Sequence, residues 1–103
     1  MKDHRVLTET EELAAEDELY RAILTLRNVS ECRAFFQDLC TPAELQALKD
    51  RWAVVERLSE GLSYRQVHDR TGVSLTTISR VARYLSRGAG GYPIALNRLK
   101  KSS

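Results

Sequence analysis

The chain has 103 residues, 43% of them hydrophobic and 29% charged, with five glycines, two prolines and a net charge of +2. This length favours one domain with a thin core that dimerisation would help, and the composition is that of a soluble globular protein. No apolar run approaches the roughly 18–20 residues of a membrane span; the opening MKDHRVLTETEEL lacks the apolar stretch of a signal peptide, so the expected location is the cytoplasm.

Residues 1–8 are expected to be loose. Thr8 and Glu11 form a capping-box pattern that starts a helix running from about Glu9 to Arg27. Its apolar residues Leu13, Leu19, Tyr20, Ile23, Leu24 and Leu26 spread over more than one stripe. A surface helix needs a single apolar face, so this one calls for two neighbours, either in an intertwined dimer or in a groove of its own monomer. Asn28 and Ser30 break the run, and Ser30 can cap a second helix from Glu31 to about Leu39, with Cys32, Phe35, Phe36 and Leu39 facing a core. Cys32 and Cys40 are the only cysteines, and they read as buried small hydrophobes. They are too few and wrongly spaced for zinc, and His4 and His68 have no partners at ligand spacing, so no metal is expected.

Thr41-Pro42-Ala43-Glu44 is the strongest helix start in the chain, with Thr41 at the N-cap, Pro42 at N1 and Glu44 at N3. The helix is predicted to reach about Glu60 and to stop at Gly61, burying Leu45, Leu48, Trp52, Val55 and Leu58 or Ser59. A second capping box, Ser63 with Gln66, opens a short helix to about Arg70 with Val67 inward. Gly72 permits a sharp turn. Ser74 then caps a helix to about Ser86 whose Ile78, Val81, Ala82 and Leu85 make an i, i+3, i+4, i+7 stripe. The GAGG segment at 88–91 is a joint, and Tyr92-Pro93 opens a last short helix over Ile94–Lys100, ahead of a frayed end.

The charge is segregated. Residues 1–60 carry eight Lys/Arg against thirteen Asp/Glu, a net of −5, whereas residues 61–103 carry eight against the single acid Asp69, a net of +7. A solvated surface explains the charges but not their separation; a localised polyanion-binding face explains both. The two helices around Gly72 have the layout of a helix-turn-helix. Helices of this kind enter the major groove, where each base pair shows a distinct donor and acceptor pattern. Short polar side chains at the start of the second helix let the backbone approach the bases, and Thr76 and Thr77 suit this. Leu75 fits either an apolar DNA contact or the core. Arginine can take guanine O6 and N7 bidentately or hold phosphate: Arg65 lies near the start of the first helix, while Arg83 and Arg87, late in the second, suit phosphate. His68 stands where many such motifs carry alanine. No Gly-rich phosphate loop, nucleophile–base pattern or metal constellation is present, which argues against an enzyme.

From about Thr41 to Leu85 the chain resembles the tryptophan-repressor superfamily, and within it the small repressor-like proteins of YerC/YecD type. The resemblance rests on Thr-Pro-Ala-Glu at 41–44, RWAVVERLSEG at 51–61, Ser63-Tyr64-Arg65 and Thr-Thr-Ile-Ser-Arg at 76–80, with one residue fewer than the repressor between Gly61 and Ser63. It implies an all-α, six-helix subunit with a helix-turn-helix, forming an intertwined homodimer that presents two reading helices to successive major grooves of a near-palindromic double-stranded operator. On this basis the candidate DNA contacts are Tyr64, Arg65, His68, Leu75, Thr76, Thr77, Ser79, Arg83 and Arg87. Arg65 matches a guanine contact; Leu75, Thr76, Thr77 and Ser79 match positions at the DNA surface, where many contacts run through water.

The same resemblance marks a co-repressor site at Thr41, Arg51, Val55, Arg80, Val81 and Tyr84. Thr41, Arg51, Arg80 and Val55 match the repressor's tryptophan-binding residues. Val81 replaces a glycine and Tyr84 a serine, and both add bulk where the ligand would lie. The expectation is a regulator that does not bind tryptophan in the repressor's manner, with any other small-molecule effector unknown; Arg51 could instead pair with a helix carboxylate and Arg80 could grip phosphate. A reading from another class is a helical dimer whose basic face docks an acidic protein partner.

Overall fold

The computed structural model describes residues 6–102, so the expectations for residues 1–5, including His4, and for Ser103 lie outside the described residues. Among the described residues there are six helices and no strands, in two compact units, Met1–Thr41 and Pro42–Ser103.

The first unit holds α1 (Glu9–Ile23) and α2 (Val29–Leu39). Thr8 caps α1 in a reciprocal box: its hydroxyl accepts from the Glu11 N–H at 3.1 Å, and the Glu11 carboxylate accepts from the Thr8 N–H at 2.9 Å. The helix ends four residues earlier than its hydrophobic pattern predicts. The Thr25 hydroxyl donates to the Ala22 carbonyl at 2.6 Å, and the N–H groups of Thr25 and Leu26 bond three residues back rather than four. A threonine hydroxyl competing for the backbone tightens and closes a last turn. The cap of α2 is Asn28, not Ser30. The Asn28 side chain accepts from the Glu31 N–H at 2.8 Å, while the Glu31 carboxylate reaches back to the Arg27 N–H at 2.9 Å. Ser30 therefore falls inside the first turn. Cys32 is half-buried rather than buried, as is Cys40, which ends α2; both thiols are free. Phe35 and Phe36 meet edge to face at 5.5 Å. Neither helix contains a buried residue, and Leu13, Leu24 and Val29 are 59%, 81% and 71% exposed.

The second unit holds α3 (Pro42–Ser59), α4 (Tyr64–Thr71), α5 (Leu75–Arg87) and α6 (Gly91–Ser102). Pro42 opens α3 as expected, because a missing N–H costs nothing in a first helical turn. Past its end Gly61 has φ +91°, the left-handed conformation its position predicts. Helix α3 packs on α4 and α5, α4 packs on α5, and α5 on α6. The core at their junction is Val54, Val55, Val67, Val73, Ile78 and Val81, closed by Trp52, Leu58, Leu62, Leu85, Tyr92 and Leu96. Val54 and Val55 are both fully buried. Adjacent helical residues point about 100° apart, so burying both requires two neighbours, which α4 and α5 supply. Trp52, Val55 and Leu58 face the core as predicted, Val54 widens that face, and Leu48 and Ser59 are exposed. Helix α6 starts three residues before Ile94 and continues through Lys100 and Lys101 to Ser102. Its Tyr92 ring lies 6.2 Å from that of Trp52 on α3.

Truncating Ile78→Ala removes the largest fully buried side chain and should lower the free energy of unfolding by about 2–5 kcal/mol, measured by urea denaturation. A second outcome concerns α1. The Thr8 backbone N–H, then its hydroxyl, holds the Glu11 carboxyl below the usual carboxylate range. Because the folded value is the depressed one, the box contributes fully above the ordinary glutamate range and is lost as pH falls through the lowered value. The Thr8 amide resonance should titrate with a midpoint below that of a free glutamate, and Glu11→Gln should abolish the titration.

Candidate nucleic-acid interface

The site is built from the turn between α4 and α5. Ser63 caps α4 in a reciprocal box, its hydroxyl accepting from the Gln66 N–H at 3.2 Å and the Gln66 side chain accepting from the Ser63 N–H at 2.8 Å. At the other end Gly72 takes φ +75°, and its N–H closes the helix on the His68 carbonyl at 2.9 Å. That left-handed residue lets the chain reverse within three residues. Ser74 then caps α5, accepting from the Thr77 N–H at 3.2 Å.

The link between helices is Val73, and it is gripped on three sides. Its side chain is buried in the core. Its N–H donates to the Thr71 hydroxyl at 3.1 Å, and that hydroxyl donates in turn to the Val67 carbonyl at 2.7 Å. Its carbonyl lies 2.7 Å from Nδ1 of His68. A carbonyl oxygen only accepts, so Nδ1 must carry the proton. The ring that stands where many helix-turn-helix units carry alanine is accommodated half-buried, by bonding the turn. Sequence pattern does not reveal this role for the hydroxyl or the ring, because the bonds depend on how the chain folds back at Gly72.

Helix α5 divides cleanly. Ile78 and Val81 enter the core, while Thr76, Ser79, Arg80, Arg83 and Arg87 are exposed. Leu75 is exposed as well, which decides against its core role. Leu75, Thr76, Ser79, Arg80 and Arg83 together line a shallow hollow of about 520 Å³. Thr77 is half-buried, and its hydroxyl accepts from that of Ser74 at 3.1 Å. Its own proton remains available to an acceptor. Tyr64 and Arg65 stand exposed in the first turn of α4. The chain's second half adds exposed cations absent from the candidate contacts: Arg70 at the end of α4, and Arg98 and Lys101 on α6.

Of the six residues of the expected co-repressor site, Val55 and Val81 share the core and Arg80 pairs with Tyr84. Val55 and Val81 are core residues, 0% and 2% exposed. Arg51 is exposed on α3, and Thr41 is the last residue of the first unit. The Arg80 guanidinium lies over the Tyr84 ring, 5.2 Å from its centroid, a cation–π arrangement. Arg80 thus shares a hollow with the exposed face of α5, whereas Tyr84 lines another, of about 390 Å³, with Ala89, Gly91 and Tyr92. Among the described residues no cluster of His, Cys, Asp and Glu could hold a metal ion, and no helix is long and apolar enough to cross a membrane.

Three comparisons bear on this geometry. The model of the family described as Trp repressor protein matches residues 14–100. The uncharacterised protein YerC of Bacillus subtilis (strain 168) is 44% identical over 86 residues, 84% of this chain and 83% of its own length. A crystal structure of a candidate Trp repressor from Staphylococcus aureus superposes with a TM-score of 0.82 at 43% identity, covering 91% of this chain and 96% of that one. A TrpR-like protein from Eubacterium eligens gives 0.80 at 39% identity, over 84% and 90% of the two chains.

Proposed function

The chain belongs to the Trp repressor protein family, a family of DNA-binding regulators, and on that footing we propose that it is a sequence-specific transcription regulator, a dimeric repressor that reads a near-palindromic operator through the major groove without tryptophan. The observation that carries this reading is the exposed polar face of α5, with Thr76, Ser79, Arg80 and Arg83 around one hollow, on a helix whose other face is locked into the core. Short hydroxyls near the helix start suit base edges, and the arginines suit phosphates. Arg65, in the first turn of α4, is the direct base reader. Arg83 and Arg87 grip the backbone and set register. The net of +7 beyond residue 60 supplies the salt-dependent part of the affinity.

The dimer is the natural cover for the first unit. Its two helices expose Leu13, Leu19, Tyr20, Leu24, Val29 and Leu39 and bury nothing completely, and an apolar surface of this kind is covered in a working protein. Tryptophan is a poor match for the local chemistry around Arg80. One face of its guanidinium rests on the Tyr84 ring, and Val81, which stands where the resemblance puts a glycine, is buried in the core. In this reading neither a metal nor tryptophan takes part, and the place of any other small-molecule effector is open.

Selection from a random duplex pool should yield a palindromic consensus, bound with steep salt dependence; retardation of no duplex at low salt would favour an acidic protein partner for the basic face instead. Arg65→Ala should relax sequence preference by roughly 1–3 kcal/mol at one position of each half-site, and an equal loss on all sequences would remove Arg65 as base reader. Calorimetry with L-tryptophan should give no binding heat; micromolar affinity for the free protein would overturn the tryptophan-independent reading.

A further inference from the structure

The turn holds a device that neither fold nor charge requires. Val73 is the single residue between the left-handed Gly72 and the cap Ser74, and its direction sets where α5 begins. Its N–H and its carbonyl are both bonded by side chains from the last turn of α4, Thr71 on one and His68 on the other. The two differ in kind. Thr71 closes a local loop two residues long, whereas His68 reaches five residues forward to the peptide that joins Val73 to the α5 cap, Ser74. With Nδ1–H donating, rotation of that peptide breaks a 2.7 Å bond. Leverage makes this count: α5 has 13 residues, about 20 Å of helix, so a tilt of about 10° at its start moves its far end by roughly 3 Å. That far end carries Arg83 and Arg87, so the tilt would shift the phosphate grips relative to Arg65 on α4, and with them the register in which the bases are met.

We propose that His68 is a positioning residue for DNA recognition: its Nδ1–H latches the Val73 carbonyl and fixes the angle at which α5 leaves the turn, and thereby sets sequence discrimination. The proposal rests on the DNA-binding reading above. It assigns His68 a part in recognition through the turn, with the Nδ1–H tautomer, rather than through a direct contact. In the neutral ring Nε2 is then an acceptor. The latch does not depend on the charge state of the ring, because Nδ1 carries a proton in both the neutral tautomer and the imidazolium.

Three substitutions separate latching from bulk and polarity. Asparagine places an amide N–H on the atom corresponding to Nδ1; glutamine places the same amide one bond farther out; leucine fills similar space with no donor. The probe is the duplex that the wild-type chain selects from a random pool, measured against a scrambled duplex, with thermal stability followed in parallel. His68→Leu and His68→Gln should each weaken binding to the selected duplex by roughly three- to tenfold and narrow its margin over the scrambled one. His68→Asn should restore both. In the free wild-type protein, imidazole 15N shifts should report Nδ1–H.

An Nε2–H tautomer in the free protein, or selectivity unchanged in His68→Leu and His68→Gln, overturns the proposal. If His68→Leu does not fold, the asparagine and glutamine pair decides, since both carry the same amide. The two ideas fail differently. A wild-type chain that retards no duplex overturns the DNA reading, whereas selective wild-type binding that His68→Gln leaves intact overturns the latch alone.

Discussion

Everything that makes the second unit a presenting surface passes through Val73. A turn of three residues carries little intrinsic stiffness, and the glycine that makes it possible also frees it. The structure compensates by leaving no part of the next residue unengaged: the Val73 side chain is in the core, its N–H on Thr71 and its carbonyl on His68. The Thr71 hydroxyl is itself tied to the Val67 carbonyl, so the constraint runs back into α4 and, through buried Val67, into the core. A buried peptide group must be bonded somewhere, and here it is bonded to the element whose orientation relative to α5 matters most.

That constraint gives the electrostatics something to act on. A net of +7 over residues 61–103 attracts any polyanion, but attraction alone carries no register. In the proposed reading, register comes from cations at fixed places, Arg83 and Arg87 along the exposed side of α5, with Arg80 beside them. Arg80 is the least free of these, since its guanidinium rests over the Tyr84 ring. An arginine set down on an aromatic face loses less conformational freedom when it meets an anion than one waving in solvent.

Short-range features of this chain are legible in its sequence. Thr8, Ser63 and Ser74 are recognisable as caps because the partner N–H lies three residues away in the same strip of chain, and the Thr-Pro start of α3 and the Gly72 turn obey equally local rules. The stripe of Ile78 and Val81 is readable because one face of α5 is buried and the other is not. Pattern misleads where the outcome depends on competition or on a neighbour. Leu24 and Leu26 extend the apolar pattern of α1, yet the Thr25 hydroxyl ends the helix there. Asn28 and Ser30 are both good caps, and only the reach of Asn28 to Glu31 decides between them. Val54 escapes a single-stripe reading of α3 because its burial depends on two partner helices meeting it. His68 is conspicuous by size, but its bond to Val73 exists only once the turn has formed. The family resemblance extends the reading to fold and to candidate contacts; it does not reveal that Arg80 shares a hollow with the face of α5 while Tyr84 lines another.

The six buried residues of the second unit are five valines and an isoleucine. All are β-branched, and β-branched side chains in helices are nearly confined to one rotamer. The centre of this core is a stiff block, and the more adaptable leucines, Leu58, Leu62, Leu85 and Leu96, lie only at its edge. Stiffness has an evolutionary side. Substitutions at Leu75, Thr76 or Ser79 touch nothing inside it, and the block neither absorbs nor amplifies them. If this face reads DNA as proposed, descendants of this chain can explore new target sequences one surface residue at a time, without renegotiating the fold beneath.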